Sequence, residues 1–186
     1  MKERWKEGQN EAAFRGNDAI TFWHFRFSLF IYRGGAHMST LKISSPAFGH
    51  NEHIPPKYTC DDTDVNPPLV IENVPTGAKS LALIMDDPDA PRGTWVHWVV
   101  WNIGPDTKEI REHSVPSGAK EGMNDFRKLN YGGPCPPSGT HRYFFKLYAL
   151  DIALNLDSDT NKAGLEKAMR GHILGQAEMI GLYKSK

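Results

Sequence analysis

Apolar runs separated by proline and glycine form the dominant pattern along the chain from Leu41 onward. Three of these runs, at 80–85, 95–103 and 142–150, are rich in β-branched and aromatic residues, as core strands are. The first contains no charged residue, which is typical of a strand buried on both faces. Since such strands need cover on each side, the pattern predicts one sheet packed on another.

Weaker patterns predict the remaining elements. Short strands are predicted at 41–48, 69–71 and 178–183, and a helix is predicted at 161–171. Asp157, Ser158 and Asp159 precede this helix as candidate capping residues. The segment 104–140 is rich in glycine and proline and has no convincing period. An irregular segment of that length in a compact domain is usually functional.

Length and charge narrow the class of protein. The 186 residues suffice for one domain with a full hydrophobic core. Lys and Arg together number 22, as do Asp and Glu, and the basic residues are scattered along the chain. The chain therefore lacks the charge that nucleic acid or an anionic membrane selects, so we expect no nucleic-acid partner and no stable membrane insertion.

The two cysteines bear on the cellular compartment. Cys60 and Cys135 are far fewer than a disulfide-stabilised scaffold carries. We therefore expect free, buried thiols in a reducing compartment, and hence a cytoplasmic protein. A single disulfide between them is the alternative that the count leaves open.

Residues 1–37 differ in character from the rest of the chain. Their aromatic stretch at 20–32 is too short to span a membrane, and no signal-peptidase site follows it. Arg-Gly-Gly at 33–35 can be encoded by a purine-rich ribosome-binding run ahead of the Met38 codon. We expect 1–37 to be a translated leader, a vector-derived segment or a mistranslated extension, with a genuine amphipathic extension as the alternative. Residues 38–186 are then expected to form the single domain.

Two short fragments combine acids, histidines and a phenol at the ends of predicted core strands. Asp87 follows the first core strand and begins a rigid turn with two prolines. Trp95 and His97 open the second core strand, and His141 and Tyr143 stand at the start of the third. Because these strand ends are expected to adjoin, the five side chains are predicted to form a small polar pocket at the rim of the sheet.

Strict alternation along a strand predicts which side chains share a face. His141 and Tyr143 fall on one face of the third core strand. In the second core strand, His97 falls on the same face as Val99 and Trp101. If the two faces adjoin, both histidines and the phenol meet near one edge.

The chemistry of this set favours an anion. A carboxylate such as Asp87 beside an imidazole favours the protonated ring and fixes its orientation. Two such rings, His97 and His141, would join the phenol and the backbone amides of the glycine-rich run 132–139 in a donor-rich hollow. A hollow of that kind suits a phosphate or carboxylate group and needs no cofactor.

Three motifs in this order resemble the phosphatidylethanolamine-binding protein family, also called Raf-kinase-inhibitor-like proteins. They read D-D-P-D-A-P at 86–91, W-V-H-W at 95–98 and G-P-C-P-P-S-G-T-H-R-Y-F-F at 133–145. The sequences Y-A-L-D at 148–151 and G-H-I-L-G-Q-A-E at 171–178 look like the bacterial and archaeal branch. The resemblance covers about residues 40–184.

The resemblance implies a fold and a site. The fold is mainly all-β, with a large central antiparallel or mixed sheet packed Greek-key-like against a smaller sheet and one or two short helices near the C-terminus. The site is an anion pocket whose residues, matched motif by motif, are Asp87, His97, His141 and Tyr143, with Trp95, Gly133 and Pro134 completing its wall.

We therefore expect a non-enzymatic binding protein for a small anionic or phosphorylated ligand. It could regulate a partner protein as a kinase-inhibitor-like factor, and a homodimer is left open. One alternative is a metal-dependent hydrolase with Asp87, His97 and His141 as ligands. A weaker one pairs a Cys135 nucleophile with His141. A further alternative is an interaction inhibitor that does not use the pocket.

Overall fold

The computed structural model describes residues 40–185, so the predicted extension at 1–37 lies outside the described residues. In chain order the strands are β1 (Lys42–Ser44), β2 (Glu52–His53), β3 (Leu69–Glu72), β4 (Ser80–Asp87), β5 (Trp95–Ile103), β6 (Glu109–Ile110), β7 (Lys120–Glu121), β8 (His141–Leu150) and β9 (Ile173–Tyr183). A 3₁₀ turn covers Pro56–Tyr58, and the helix α1 covers Lys162–Met169. No helix in the described range is long and apolar enough to cross a membrane.

The strands form two sheets. The large sheet has six strands in the order β2-β9-β8-β4-β5-β7, and the small sheet has three in the order β1-β3-β6. All pairs in the large sheet are antiparallel except β2 with β9. The predicted fold class, a large mixed sheet against a smaller one, is therefore confirmed.

Both faces of the large sheet are covered. All eight residues of β4 are buried, as its uninterrupted apolar run predicted. On one face, Leu83 and Phe145 pack against Leu69 and Ile71 of the small sheet. On the other face, residues of α1 such as Leu165 complete a second cluster. Burial of each large apolar side chain stabilises the fold by about 1.5–3 kcal/mol, so the sheets hold the strand ends rigidly in place.

A β-bulge interrupts the pairing of β5 with β4. Trp98 lies opposite Met85, whereas Val96 lies opposite Asp86. His97 is therefore the extra residue on its strand. Such an insertion bends the strand and redirects the side chains that follow it.

Because of the bulge, the prediction from strict alternation along β5 fails. Val100 packs in the core between the sheets, whereas Val99 and Trp101 pack on the helix side. His97 contacts Tyr143, which belongs to the core between the sheets. The predicted common face of His97, Val99 and Trp101 is therefore wrong, because the extra residue reverses the alternation after His97.

The cysteines form a disulfide. Cys60 and Cys135 are bonded, with their Cα atoms 5.5 Å apart. The expectation of free, buried thiols is therefore wrong, and the alternative of a single disulfide is the one that holds. Both residues are exposed, and the Cys60 amide also donates to the Pro134 carbonyl over 3.1 Å. The bond ties two long loops together next to the start of β8.

Two boundaries also differ from the prediction. The cap of α1 is Asn161, whose side chain accepts a hydrogen bond from the Gly164 amide at 3.0 Å, rather than a residue at 157–159. The last strand begins at Ile173 instead of 178 because Gly171, at a φ of +80°, turns the chain directly from α1 into β9.

Candidate functional site

A hollow of about 200 Å³ lies at the rim of the large sheet, where β4 ends and β5 and β8 begin. Because β4 runs antiparallel to both neighbours, its last residues meet the first residues of theirs. The hollow is lined by Asp87, Ala90, Pro91, Trp95, His97, Phe126, Cys135, Pro136, Pro137, His141 and Tyr143. The structure thus brings together all five predicted side chains of the two strand-end fragments.

Asp87 and His141 form a buried, hydrogen-bonded pair. Oδ2 of Asp87 lies 2.7 Å from Nδ1 of His141, and both side chains are almost fully buried. The other carboxylate oxygen accepts the Asp89 amide at 2.8 Å, which fixes the carboxylate in the turn. Since the carboxylate accepts, Nδ1 carries the proton, and Nε2 of His141 is left for the hollow.

His97 is held by a backbone carbonyl. Its Nδ1 donates to the Gly132 carbonyl over 2.7 Å. Burial lowers the pKa of the His97 ring below its ordinary 6.5, although the Gly132 carbonyl and the negative Asp87 act in the opposite direction. Desolvation of the buried ring therefore opposes the protonated form that was predicted for His97.

The Tyr143 hydroxyl makes no well-aligned hydrogen bond within residues 40–185, although the Cys135 backbone amide lies near its oxygen and opposes the rise in its pKa. The side chain is fully buried and lines the hollow. Burial and the negative Asp87 raise the pKa of the phenol, so it stays a neutral O–H. An unpaired buried hydroxyl costs about 1–3 kcal/mol, which a bound polar group would offset.

Aromatic rings form one wall of the hollow. Phe126 meets Trp95 and His97 edge to face, with ring centroids 5.4 Å apart in each pair. Trp95 and Phe126 are partly exposed, at 36% and 37%. Sequence reasoning missed Phe126, since the irregular segment 104–140 contains only two isolated aromatic residues, Phe126 and Tyr131, and no periodicity marks either.

Gly133 and Pro134 were predicted to complete the wall of the site, but they are not among the residues that line the hollow, although Gly133 lies within hydrogen-bonding reach of His97. The Gly133 amide donates to Asp64 Oδ1 over 2.6 Å, and the Pro134 carbonyl accepts the Cys60 amide. A Cβ at Gly133 would lie only 2.4 Å from that Asp64 oxygen. These two residues therefore anchor the loop, and the three residues after them, 135–137, face the hollow.

The neighbouring acids have separate structural roles. Asp89 accepts two hydrogen bonds from the Arg142 guanidinium, at 2.7 and 2.8 Å, and these lower the pKa of the carboxyl to about 2. Asp86 is fully buried on the helix side, where it pairs with Lys146 and Lys162. A wider groove of about 380 Å³ runs along that side past Lys146, away from the histidines.

The described residues support neither of the two alternative enzyme chemistries, a metal-dependent hydrolase and a Cys135 nucleophile. No group of three or more His, Cys, Asp or Glu side chains among residues 40–185 has a geometry that could hold a metal ion. Asp87 and His141 instead bond each other, and His97 bonds a carbonyl. The Cys135 sulfur is in a disulfide, so it offers no thiol nucleophile to His141.

The sequence profile described as phosphatidylethanolamine-binding protein matches residues 44–184. A UPF0098 protein of Methanothermobacter thermautotrophicus is 49% identical over 149 residues, which cover 77% of this chain and 99% of the relative. A UPF0098 protein of Pyrococcus horikoshii is 48% identical over 161 residues, which cover 82% of this chain and 81% of the relative.

Solved structures agree with the sequence relatives. A phosphatidylethanolamine-binding protein homologue from Chlamydia trachomatis superposes with a TM-score of 0.76 at 39% identity, covering 79% of this chain and 99% of that one. The E. coli protein YbcL, described as a member of the mammalian family, superposes with a TM-score of 0.75 at 29% identity, covering 80% and 100%. This chain therefore has the same two-sheet β-fold as these phosphatidylethanolamine-binding protein homologues.

The chain belongs to the phosphatidylethanolamine-binding protein family, as its three motifs indicated. The archaeal and bacterial sources of its relatives confirm the predicted branch.

Proposed function

We propose that this chain is a non-enzymatic binding protein whose hollow takes a small anionic or phosphorylated group. The observation that carries the proposal is the pairing of Asp87 with His141 beside the buried Tyr143 hydroxyl, which has no well-aligned partner among residues 40–185. The carboxylate accepts Nδ1–H and so fixes the imidazole with Nε2 towards the hollow, where an Nε2–H would donate to a bound anion. The hydroxyl adds a second donor in a desolvated site, where hydrogen bonds to charged groups are strong.

The dimensions of the hollow favour a head group rather than a large molecule. Its volume of about 200 Å³ lies below the roughly 300–1,000 Å³ of sites for drug-sized ligands. Pro91, Pro136 and Pro137 make its walls stiff, and Trp95 and Phe126 stand at its exposed side. A phosphate-sized group would occupy the polar floor, and any apolar remainder would contact the aromatic rings.

The lining supports binding without chemistry. It contains no serine, threonine or lysine side chain that His141 could activate, and its one cysteine is in a disulfide. Nucleophilic catalysis needs a nucleophile within reach of its base. The Asp87–His141 pair accordingly acts as a fixed donor for a ligand.

Regulation of a partner protein is compatible with such a pocket. The exposed rings of Trp95 and Phe126 stand beside the hollow, so a bound group would alter the surface that a partner meets. The predicted cytoplasmic location stays a prediction, and the disulfide removes the expectation of free thiols on which it depended.

Calorimetric titration with phosphoethanolamine tests the proposal. We expect weak binding at pH 6 that His141→Ala reduces at least tenfold, because one charge-assisted donor is lost. The control is His172→Ala, since His172 pairs with Asp151 at the far end of β9 and does not line the hollow. Equal affinities for the wild type and His141→Ala, or no binding to either, would refute the proposal.

A further inference from the structure

One wall of the hollow is formed by a loop that few contacts hold in place. Cys135, Pro136 and Pro137 line the hollow, and β8 begins at His141. We call residues 135–140 the wall segment. Its residues 136–140 make no backbone hydrogen bond within the described range. The disulfide at Cys135 is therefore the covalent anchor at one end of the wall segment, and β8 is the anchor at the other end.

The partner cysteine lies on a turn that the core holds firmly. Thr59, directly before Cys60, is fully buried. Asp61, directly after it, accepts a hydrogen bond from the hydroxyl of Tyr183, a core residue of β9, over 2.5 Å. Because this turn is fixed on both sides of Cys60, the disulfide holds Cys135 and the wall segment against a rigid support.

Three hydrogen bonds join the same two loops independently of the disulfide. They are Gly133 N–H to Asp64 Oδ1 at 2.6 Å, Cys60 N–H to the Pro134 carbonyl at 3.1 Å and Tyr131 O–H to the Tyr58 carbonyl at 2.8 Å. All three involve residues that precede 135 in the second loop. Breaking the sulfur–sulfur bond would therefore leave the loops joined as far as Pro134 and release only the wall segment.

The disulfide is open to chemical attack. Cys60 and Cys135 are both exposed, and exposed disulfides are commonly the labile ones. A thiolate of a dithiol attacks one sulfur, and the other sulfur leaves as a thiolate and takes a proton. The second thiol of the reagent then displaces the remaining protein sulfur. Two electrons pass to the protein, which ends with two thiols, and the dithiol ends as a disulfide.

We propose that the Cys60–Cys135 bond is a site of thiol–disulfide exchange whose redox state controls ligand binding in the hollow. This inference rests on the proposed function and adds a regulation of the same site. In the oxidised form the wall segment stands beside His141 and Tyr143. In the reduced form the segment is loose, and a ligand must order it again at a cost in conformational entropy.

Binding and oxidation are linked through this cost. A ligand that binds the oxidised form more tightly than the reduced form must make the disulfide harder to reduce by the same factor. A disulfide that only stabilised a distant part of the fold would leave the affinity of the folded protein unchanged. The reciprocal effect therefore separates control of the hollow from a purely structural role.

The first measurement is calorimetric titration of phosphoethanolamine into the full chain at pH 7, with and without dithiothreitol. We expect the affinity of the reduced form to be about fivefold lower, and reoxidation to restore it. Cys60→Ser/Cys135→Ser should bind like the reduced wild type whether or not dithiothreitol is present. Circular dichroism is recorded on both forms. An unfolded reduced chain would overturn the inference, because the bond would then serve the whole fold.

The second measurement is the reduction midpoint in mixtures of oxidised and reduced dithiothreitol, read by thiol alkylation and mass spectrometry. Saturating phosphoethanolamine should shift the midpoint by the same fivefold, or about 20 mV, towards the oxidised form. His141→Ala is the control, since it keeps the disulfide but loses a ligand donor, and its midpoint should not move. Equal affinities of the two redox forms with an unmoved midpoint would show that the inference is wrong while the proposed function stands. Binding to neither form would refute the proposed function and the inference with it.

Discussion

Gly132 lies directly against Phe126, so a Cβ added to Gly132 would come within 2.6 Å of the Phe126 ring. The same glycine supplies the carbonyl that holds His97. One residue without a side chain therefore sets the position of the aromatic wall and the orientation of the buried histidine.

Gly132→Ala is expected to displace Phe126 and to disturb the hollow. Overpacking of this kind costs about 1–3 kcal/mol of unfolding free energy, and phosphoethanolamine affinity should fall with it. Chemical denaturation and calorimetry measure the two effects. Gly104→Ala is the control, because its added Cβ meets only ordinary contact at 3.6 Å, and it should change neither quantity appreciably. A Gly132→Ala variant with unchanged unfolding free energy and unchanged phosphoethanolamine affinity would contradict the packing described for Phe126.

Tyr143→Phe should have opposite effects on stability and binding. It removes a buried hydroxyl that has no well-aligned partner within the described residues, so we expect unfolding free energy to rise by about 1 kcal/mol. Phosphoethanolamine affinity should fall roughly fivefold to tenfold, because a donor to the ligand is lost. Thermal unfolding and calorimetry on the same preparations measure both. Reduced stability together with unchanged affinity would mean that the hydroxyl serves the fold instead of the ligand.

His97 should make the protein less stable as pH falls below 6.5. Its pKa in the folded state is lowered, so between that value and 6.5 the unfolded chain binds a proton that the folded chain does not. The contribution to unfolding free energy therefore decreases with falling pH, by at most about 1.4 kcal/mol per pH unit. Urea unfolding of the wild type and His97→Asn between pH 7.5 and 5 measures it. Parallel curves for the two proteins would show that the ring is not held neutral.

The disulfide is expected to stabilise both the fold and the hollow. Cys60 and Cys135 are 75 residues apart, so on the chain-entropy account their cross-link stabilises the fold by about 4.5 kcal/mol. Both are exposed, so Cys60→Ser/Cys135→Ser leaves no cavity in the core. The double variant should unfold at lower urea and bind phosphoethanolamine more weakly, since Pro136 and Pro137 lose their tether. A reductant should lower the stability of the wild type and leave the double variant unchanged. Equal urea midpoints for the wild type and the double variant would contradict the predicted stabilisation by the disulfide.

Much of the fold could be predicted because burial leaves a direct pattern in sequence. The apolar run within β4 and the aromatic runs of β5 and β8 identified the three central strands of the large sheet. The two-residue strands β6 and β7 left no such pattern in the segment 104–140, because pairing with a neighbour rather than periodicity defines them.

The site was predictable where strand ends carry polar residues, as at Asp87 and His141. It was not predictable where local geometry decides. The β-bulge at His97 depends on pairing with β4, and the lowered pKa of that ring depends on burial, so the spacing of residues indicates neither. Phe126 reaches the hollow only through the path of an irregular loop.

A crystal structure of the protein grown with phosphoethanolamine tests the central claim most directly. We predict that the phosphoryl group lies in the hollow, with oxygens about 2.7–3.0 Å from Nε2 of His141 and from the Tyr143 hydroxyl. An empty hollow at saturating ligand, or a phosphoryl group bound elsewhere on the surface, would contradict it.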